Sequence, residues 1–405
     1  MDSVFFHIDV NSAFLSWSAL ERLSQGDSVD LREIPSIIGG DMEKRHGVVL
    51  AKSIPAKKYG IRTGEPIVNA FRKCPRLTMA PPDHKLYRRY SHALMEYLSG
   101  ICPDIEQVSI DECYMDYTPI ALSYPSPTEC ARMIRETVRS KFGFTVNVGI
   151  SDRKVLAKMA SDFKKPDMTH TLFVSEIKEK LWPLPISALF MCGHSSAETL
   201  RKLEILTIGD LAKADPAIIE MHLKSHGKLL WEYANGIDDS SVFSEPSKCK
   251  GIGNSVTMPK DVATFEQAKE VLLNLSESVG KRLRAENVRA LMISVEIKYS
   301  DFQTISHQTT LQTSTDSDTT IYQTACRLFE ECWNHNPIRL LGIRTSKLSE
   351  SCDPVQLSIF DLQSASQTER QTRLDNAIDS IRKRFGSDAV VRGSLLGKGD
   401  DLNTH

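Results

Sequence analysis

The chain has 405 residues, of which 41% are hydrophobic and 25% charged, as is typical of a globular protein of about two to four domains. No stretch approaches the roughly 20 apolar residues of a membrane span, and the opening MDSVFFHIDVNS does not resemble a secretory signal. Nine cysteines without CxxC pairs favour a reducing compartment and no zinc site, so we expect a cytoplasmic protein.

The charge is unevenly distributed. A formal net charge of −2 gives no support for nucleic-acid binding by itself. From Lys44 to Arg89, however, there are six Lys and six Arg against only Glu65 and Asp83. Such a patch can bind phosphates. The alternative is a solvated basic face that is balanced by acids elsewhere.

The first half of the chain reads as alternating strands and helices. An apolar run over residues 4–8 predicts a buried strand that ends at Asp9, and Asn11 or Ser12 can cap the helix that follows. The remaining predictions are helices at residues 13–23, 52–60 and 86–98, two strands within 104–117, a strand at 145–150, and a helix capped by Ser151 that stops before Pro166.

One short motif, SIDECYMDY at residues 109–117, places Asp111 and Glu112 side by side. Neighbouring side chains in a strand point to opposite faces, so both acids address one partner only where the backbone turns. Together with Asp9 they form a set of hard oxygen donors, which suits Mg²⁺ and phosphoryl transfer. For an isolated Asp-Glu pair, a solvated hairpin tip is the alternative.

The second half changes character twice. Residues 167–235 predict short helices without a strand pattern, and a shift toward small, Pro, Gly and Lys residues near 244–253 indicates a linker. Residues 254–347 predict a separate α+β domain, with a helix at 265–286 and a strand at 290–299. The polar tail from 348 contains an isolated apolar pentad at 356–360 and an amphipathic stretch at 373–385.

Four blocks carry a family resemblance: HIDVNSAF, AKSIPAKKYGI, SIDECYMD and GISDRKVLAKMASDFKKP. Their order and spacing resemble those of Y-family translesion DNA polymerases of the bacterial DNA polymerase IV type, from residue 3 to at least 345. The resemblance implies an α+β, multidomain, right-hand polymerase. Its parts would be a palm (1–12 and 76–166), fingers (13–75), a helical thumb with a helix-hairpin-helix (167–240), a linker (241–253), an α+β little finger (254–347) and a C-terminal tail (348–405).

The resemblance also assigns site residues. Asp9, Asp111 and Glu112 would form the catalytic metal site for two Mg²⁺ ions, with the Val10 carbonyl as a further ligand. Phe14 matches the steric gate that excludes a ribose 2′-hydroxyl. The triphosphate would be contacted by Lys57, on the same helix as Lys58, and by Lys165.

Two departures from the family pattern concern the nucleotide. The usual Tyr-x-Ala-Arg of the fingers helix is Ile54-Pro-Ala-Lys57 here, and Lys cannot bind phosphate in the bidentate way of Arg. Asn11 stands where many relatives carry a second Asp. Nucleotide affinity or selectivity is therefore expected to differ.

DNA and clamp contacts are expected outside the palm. Gly193 lies in the hairpin predicted around residues 190–200, which would aim backbone N–H groups at a phosphate. Because residues 245–345 carry 12 basic and 12 acidic side chains, DNA binding there needs one basic face. The candidates for that face are Lys248, Lys250, Lys281, Arg282, Arg284 and Arg289.

The apolar pentad is similar to the sliding-clamp-binding peptide of bacterial polymerases. Its residues are Gln356, Leu357, Ile359 and Phe360, around Ser358. Three apolar residues and a polar Gln in a polar tail are typical of short-peptide docking. The alternative is local packing against the final helix.

The resemblance implies a low-fidelity DNA polymerase that joins a dNTP to a primer 3′-hydroxyl on a DNA template. Its partners would be primer-template DNA, dNTP and the bacterial sliding clamp, and we expect a monomer that works at the nucleoid, without a membrane. A catalytically silent DNA- and clamp-binding accessory protein is a second hypothesis, and a palm-type nucleotidyl cyclase or primase is a third.

Overall fold

A computed structural model describes residues 3–40, 47–243, 249–350, 359–386 and 389–390, with the backbone alone of 359–369 and 372. The chain divides into two units. The first contains the residues up to Gly40 and Val48–Pro246, and the second begins at Ser247. None of the helices in the described residues is long and apolar enough to span a bilayer. The subdivision into palm, fingers and thumb stays a prediction.

In its described residues, the first unit combines eight strands with ten α-helices. The strands are β1 (Phe5–Val10), β2 (Ser36–Gly39), β3 (Val49–Lys52), β4 (Thr78–Ala80), β5 (Ile105–Gln107), β6 (Glu112–Asp116), β7 (Val146–Ser151) and β8 (Thr169–Thr171). The helices are α1 (Ala13–Ser24), α2 (Ile54–Lys58), α3 (Ile67–Lys73), α4 (His84–Ser99), α5 (Pro127–Thr137), α6 (Lys154–Ser161), α7 (Ile177–Lys180), α8 (His194–Lys202), α9 (Ile208–Lys213) and α10 (Pro216–Ala234).

A five-stranded sheet in the order β5-β6-β1-β7-β8 supports the candidate site. Its central strand β1 is buried along its whole length because it pairs with β6 on one side and β7 on the other. Helix α6 lies unusually close to β7. A Cβ on Gly149 would stand 1.9 Å from the backbone oxygen of Ala157, so only glycine permits this approach.

Most predicted elements of this half are confirmed, including the first strand, the helix after it and the two strands around the acidic pair. Ser12 does precede α1, but its backbone is left-handed (φ 49°) and its side chain makes no capping bond. The prediction that Ser151 caps the next helix is wrong. Ser151 ends β7, its hydroxyl bonds to the Leu172 carbonyl, and α6 begins three residues later.

Two further differences concern short strands. Residues 167–235 were expected to contain none, yet β8 pairs in parallel with β7 and extends the main sheet. The small sheet β3-β2-β4 was not predicted, because strands of three or four residues show little periodicity. The short helix after it begins at Ile54 and not at Lys52, which ends β3, and the Ser53 hydroxyl caps it by accepting from the Ala56 N–H.

The second unit is an α+β fold, as predicted. Its elements are β9 (Gly251–Val262), α11 (Phe265–Ala285), β10 (Val288–Tyr299), β11 (Thr304–Thr315), α12 (Asp318–Cys332), β12 (Ile338–Glu350) and α13 (Ile359–Phe385). The strands form an antiparallel sheet in the order β11-β10-β12-β9. Apolar residues of α11 and α12, such as Leu272 and Phe329, form one core with the sheet.

Helix α13 is tied to this unit by buried ion pairs, and these overturn one predicted DNA contact. The side chain of Arg284 is only 8% exposed. Its Nη1 donates to Asp318 Oδ1 at 2.9 Å and its Nε donates to Asp379 Oδ2 at 2.6 Å. Arg284 therefore does not face a phosphate. Lys281 and Arg282 are exposed, although Arg282 also bonds to the Gly253 carbonyl.

Candidate active site

The backbone brings the three predicted acids to one end of the main sheet. Asp9 lies directly opposite Glu112 in the β1–β6 ladder. The Val10 N–H donates to the Asp111 carbonyl at 3.0 Å, which fixes the turn before β6 beside the end of β1. Within that turn, the Ser109 hydroxyl lies 2.7 Å from the Asp111 carboxylate. Residues more than 100 positions apart thus become neighbours.

Asp9 is the most buried of the three acids, at 5% exposure. Burial raises its pKa to about 6, although the neighbouring Lys165 ammonium acts in the opposite direction. Lys165 forms an ion pair with Asp9 and a second one with Asp162 at 2.8 Å. Burial lowers the pKa of Lys165, but these acids outweigh it and keep the pKa above its usual value. At neutral pH the pair is therefore charged.

The pKa of Glu112 shifts in the opposite direction to that of Asp9. A hydrogen bond from His7 and the nearby Lys158 ammonium lower its pKa to about 2 despite partial burial. His7 Nε2 lies 3.2 Å and Lys158 Nζ 2.7 Å from the same oxygen, Oε2. Burial lowers the pKa of His7 itself. Glu112 is consequently held as an anion.

His7, Lys158 and Ser161 were missed by the sequence analysis. Two signals were present. His7 is a polar residue within the apolar run of β1, and Lys158 lies within the apolar stretch VLAKMA of α6. Neither signal identifies a partner, because the contacts depend on how β1, β6 and α6 pack together.

A cleft of about 410 Å³ opens beside these acids. Its lining includes most of the residues predicted to bind metal or nucleotide, namely Val10, Phe14, Lys57, Asp111 and Lys165. Asp9 and Glu112 are not among the described residues that line it. The structure therefore groups five of the seven predicted residues at one cavity, with the other two on the adjoining strands.

Phe14 is held flat in the cleft by aromatic stacking. Its ring lies 4.3 Å from that of Tyr87, with 6° between the planes. Lys57 is exposed on α2, and Ile54 at the start of that helix is 52% exposed. Arg32 also lines the cleft, but its guanidinium is bound to Asp30 and to the Gly143 carbonyl.

The donors suit Mg²⁺ in kind, because carboxylates and a backbone carbonyl such as that of Val10 are hard oxygen ligands. Asn11 adds a buried Oδ1 that makes no hydrogen bond within the described part of the chain. The candidate ligand side chains do not converge on a single metal position, however. Among the described residues, no three His, Cys, Asp or Glu groups are arranged so that they could hold a metal ion. Metal binding would therefore require side chains such as Lys165 to turn.

The predicted DNA and clamp contacts are only partly described. Gly193 is the residue before α8, so the free N–H groups of that helix begin next to it, and there is open space where its Cβ would be. Lys250 is exposed, and Arg289 lies 3.9 Å from Asp316. Lys248, Gln356 and Leu357 lie outside the described residues, as do the side chains of Ile359 and Phe360, whose backbone begins α13.

Comparison with known proteins decides the family. The sequence model of the impB/mucB/samB family matches residues 8–162, and that of the family's C-terminal domain matches residues 249–359. The chain belongs to the impB/mucB/samB family. Among its relatives is a DNA polymerase IV of Clostridium acetobutylicum, 47% identical over 98% of this chain and 99% of the relative. A DNA polymerase IV of Acetivibrio thermocellus is 36% identical over 98% of each chain.

Solved structures agree on the fold of this impB/mucB/samB protein. A Y-family DNA polymerase chimera superposes with a TM-score of 0.75 at 21% identity, covering 86% of this chain and 99% of that one. The predicted resemblance and the multidomain α+β right-hand architecture are thereby confirmed.

Proposed function

We propose that this protein is a template-directed DNA polymerase of the low-fidelity translesion type, which joins a dNTP to a primer 3′-hydroxyl. The observation that carries the proposal is the cleft itself, where an acid, a flat aromatic ring and two lysines meet beside the β1–β6 acids. Relatives of nearly full length that are named DNA polymerase IV support it.

Each side chain of the cleft has a task that follows from its chemistry. Phe14, held against Tyr87, takes up the space where a ribose 2′-hydroxyl would lie. Lys57 and Lys165 neutralise the triphosphate as point charges. For Lys165 this means exchanging its ion pair with Asp9 for the phosphates, which releases the Asp9 carboxylate toward a metal ion.

We further propose that Asp9, Asp111, Glu112 and the Val10 carbonyl would hold two Mg²⁺ ions. Such ions would lower the pKa of the primer hydroxyl and stabilise the pyrophosphate that leaves from the dNTP. The hydrogen bond from the Val10 N–H to the Asp111 carbonyl ties the two ligand-bearing segments together.

The remaining proposals concern partners. Gly193 at the start of α8 and the basic residues Lys248 and Lys250 would contact phosphates of primer-template DNA, and residues 356–360 would dock on the bacterial sliding clamp. We propose a monomeric enzyme that acts in the cytoplasm, on the DNA of the nucleoid. Clamp recruitment would bring it to stalled primer ends, so its role is DNA damage tolerance.

Primer extension by Asp111→Ala tests the proposal. With Mg²⁺ and dNTPs the wild type should extend a primer, and the variant should lose at least about three orders of magnitude in rate, while its circular dichroism spectrum and melting temperature stay unchanged. Asp104→Ala, at an exposed acid outside the cleft, is the matched control. Wild-type protein that binds DNA but extends no primer would instead favour the accessory role.

A further inference from the structure

One buried group beside the candidate site has no task in the proposed function. His7 lies in the middle of β1 with no exposed surface, and its ring packs edge-on against Tyr114 at 4.8 Å. A fully buried imidazole is costly unless both of its nitrogens find partners. It follows Phe6 and precedes Ile8, both of which belong to the apolar core. A polar ring at this place therefore calls for an explanation.

Both nitrogens of His7 are in fact engaged. Nε2 lies 3.2 Å from Glu112 Oε2, and Nδ1 lies 2.8 Å from the hydroxyl of the fully buried Ser161. Because an ionised carboxylate only accepts hydrogen bonds, Nε2 must carry the hydrogen. In that tautomer Nδ1 accepts from the Ser161 hydroxyl, which shares its single hydrogen with the Lys158 carbonyl, 2.8 Å away in the last turn of α6.

The pattern at Glu112 indicates what this arrangement does. His7 and Lys158 both bond to Oε2, and within the described residues no hydrogen bond reaches Oε1. An ammonium is a point charge on a flexible stem and sets no direction. The His7 ring is held by hydrogen bonds at both of its nitrogens, so its Nε2–H points in a fixed direction toward Glu112. The carboxylate is therefore held with one oxygen tied back and the other free for a cation.

We propose that His7, oriented by Ser161, is a positioning residue that aims the Glu112 carboxylate at the metal site. The proposal rests on the proposed function, because it needs Glu112 to be a metal ligand. Hydrogen bonds to ligating carboxylates are generally worth about 10- to 100-fold in metal affinity.

The test compares variants of the full-length protein by direct Mn²⁺ binding, measured by electron paramagnetic resonance, and by the Mg²⁺ concentration that gives half-maximal primer extension. His7→Leu removes the hydrogen bond and should weaken Mn²⁺ binding about 10- to 100-fold. His7→Gln places an amide N–H near the position of Nε2 and should retain most of the affinity. Affinity for primer-template DNA should be the same in both variants.

Ser161→Ala should give a smaller loss of Mn²⁺ affinity, because it only frees the ring to rotate. The matched control is Ser276→Ala, which removes an equally buried serine hydroxyl bond in the second unit and should leave Mn²⁺ binding unchanged. Should His7→Leu fail to fold, Ser161→Ala decides: reduced Mn²⁺ affinity supports the proposal, and unchanged affinity overturns it.

A folded His7→Leu variant with wild-type Mn²⁺ affinity would overturn the positioning role while leaving polymerase activity of the wild type in place. Wild-type protein that neither binds Mn²⁺ nor extends a primer would overturn the proposed function, and the positioning role with it.

Discussion

Asp9 and Glu112 face each other across two strands, yet their pKa values move in opposite directions. This difference in pKa depends on the hydrogen-bond and charge partners of each acid as well as on how deeply each is buried. Glu112 accepts a hydrogen bond from His7 and pairs with Lys158, whose side chain is 11% exposed. Asp9 is more deeply buried, and the Lys165 that pairs with it is 37% exposed. Glu112 is thus an anion at neutral pH, and the Lys165 ammonium favours the charged form of Asp9 against the effect of burial.

Phe14→Ala is expected to relax the choice of sugar. Removing the ring opens space beside Tyr87 where a 2′-hydroxyl fits, so the preference for dNTP over rNTP should fall by about 10- to 100-fold. Single-nucleotide incorporation with matched dNTP and rNTP measures the ratio. Phe14→Tyr keeps the ring and serves as the control. If the wild type already used rNTPs, and Phe14→Ala left that unchanged, a cyclase or primase would fit better.

Some residues of the candidate site could be predicted from the sequence, and others could not. Asp9, Asp111, Phe14, Lys57 and Lys165 belong to motifs that the family resemblance marks. His7 lies in one of these motifs too, but the resemblance assigns it no role. Its partners lie 105 and 154 positions away and meet it only through the packing of β1 against β6 and α6. Local sequence patterns can indicate that a polar residue is buried, but they do not identify the residues that it contacts.

At the scale of elements, the junction between α11, α12 and α13 corrects the prediction most strongly. Arg284 was named with Lys281 and Arg282, on the same helix, as a candidate for a DNA-binding face. A helix turns about 100° per residue, so Arg284 lies about 200° around the axis from the exposed Arg282. Arg284 points into the junction, where it meets Asp318 and Asp379. The sequence predicted α11 and an amphipathic stretch at 373–385 within α13, but it did not predict α12 or the face on which the three helices join.

The same junction makes the stability of the second unit depend on pH. Burial raises the pKa of Asp318 to about 7, and Arg284 offsets this only in part; Asp375 and Glu277 raise it further. The folded state therefore binds a proton that the unfolded chain, with a pKa near 3.8, has lost. The contribution of this group to stability is highest below about pH 4, falls as the pH rises toward 7, and is constant above that.

Asp318→Asn removes this dependence. Between pH 5 and pH 8 the wild type should lose about 3 kcal/mol of stability relative to the variant, because about two pH units of that window lie below the folded-state pKa of about 7. Urea unfolding of the full-length protein at several pH values, followed by circular dichroism, measures the difference. Glu330→Gln, at an exposed acid of the same helix α12, is the matched control. Parallel pH curves for wild type and Asp318→Asn would contradict the assignment.

Over the whole molecule, most of the predicted tasks separate between the two units. The acids, the gate, the triphosphate lysines and the predicted DNA contact at Gly193 lie in the first unit, whereas the basic candidates after residue 247 and the predicted clamp peptide belong to the second. Although the net charge of the chain is only −2, residues 44–89 form a basic segment. Substitutions in the second unit should accordingly affect where the protein works and leave the chemistry in the cleft unchanged.

The predicted clamp peptide provides a test of that separation. Replacing Leu357 and Phe360 by Ala removes two apolar anchors. In short-peptide docking such anchors are often worth about 2 kcal/mol each, so clamp affinity should fall about 30-fold for each anchor and several hundred-fold for both. Surface plasmon resonance against an immobilised bacterial sliding clamp measures the loss. Synthesis on short primers without clamp should stay the same, and clamp-dependent synthesis on long templates should fall.

Leu374→Ala is the matched control, because this leucine of α13 is 51% exposed and lies beyond the pentad. If residues 356–360 instead packed locally against α13, the double variant would lower the unfolding temperature without changing clamp affinity. If they dock on the clamp, affinity falls and the unfolding temperature stays the same. Measuring both quantities on both variants therefore decides between a docking peptide and a structural one, since each predicts a change in only one of them.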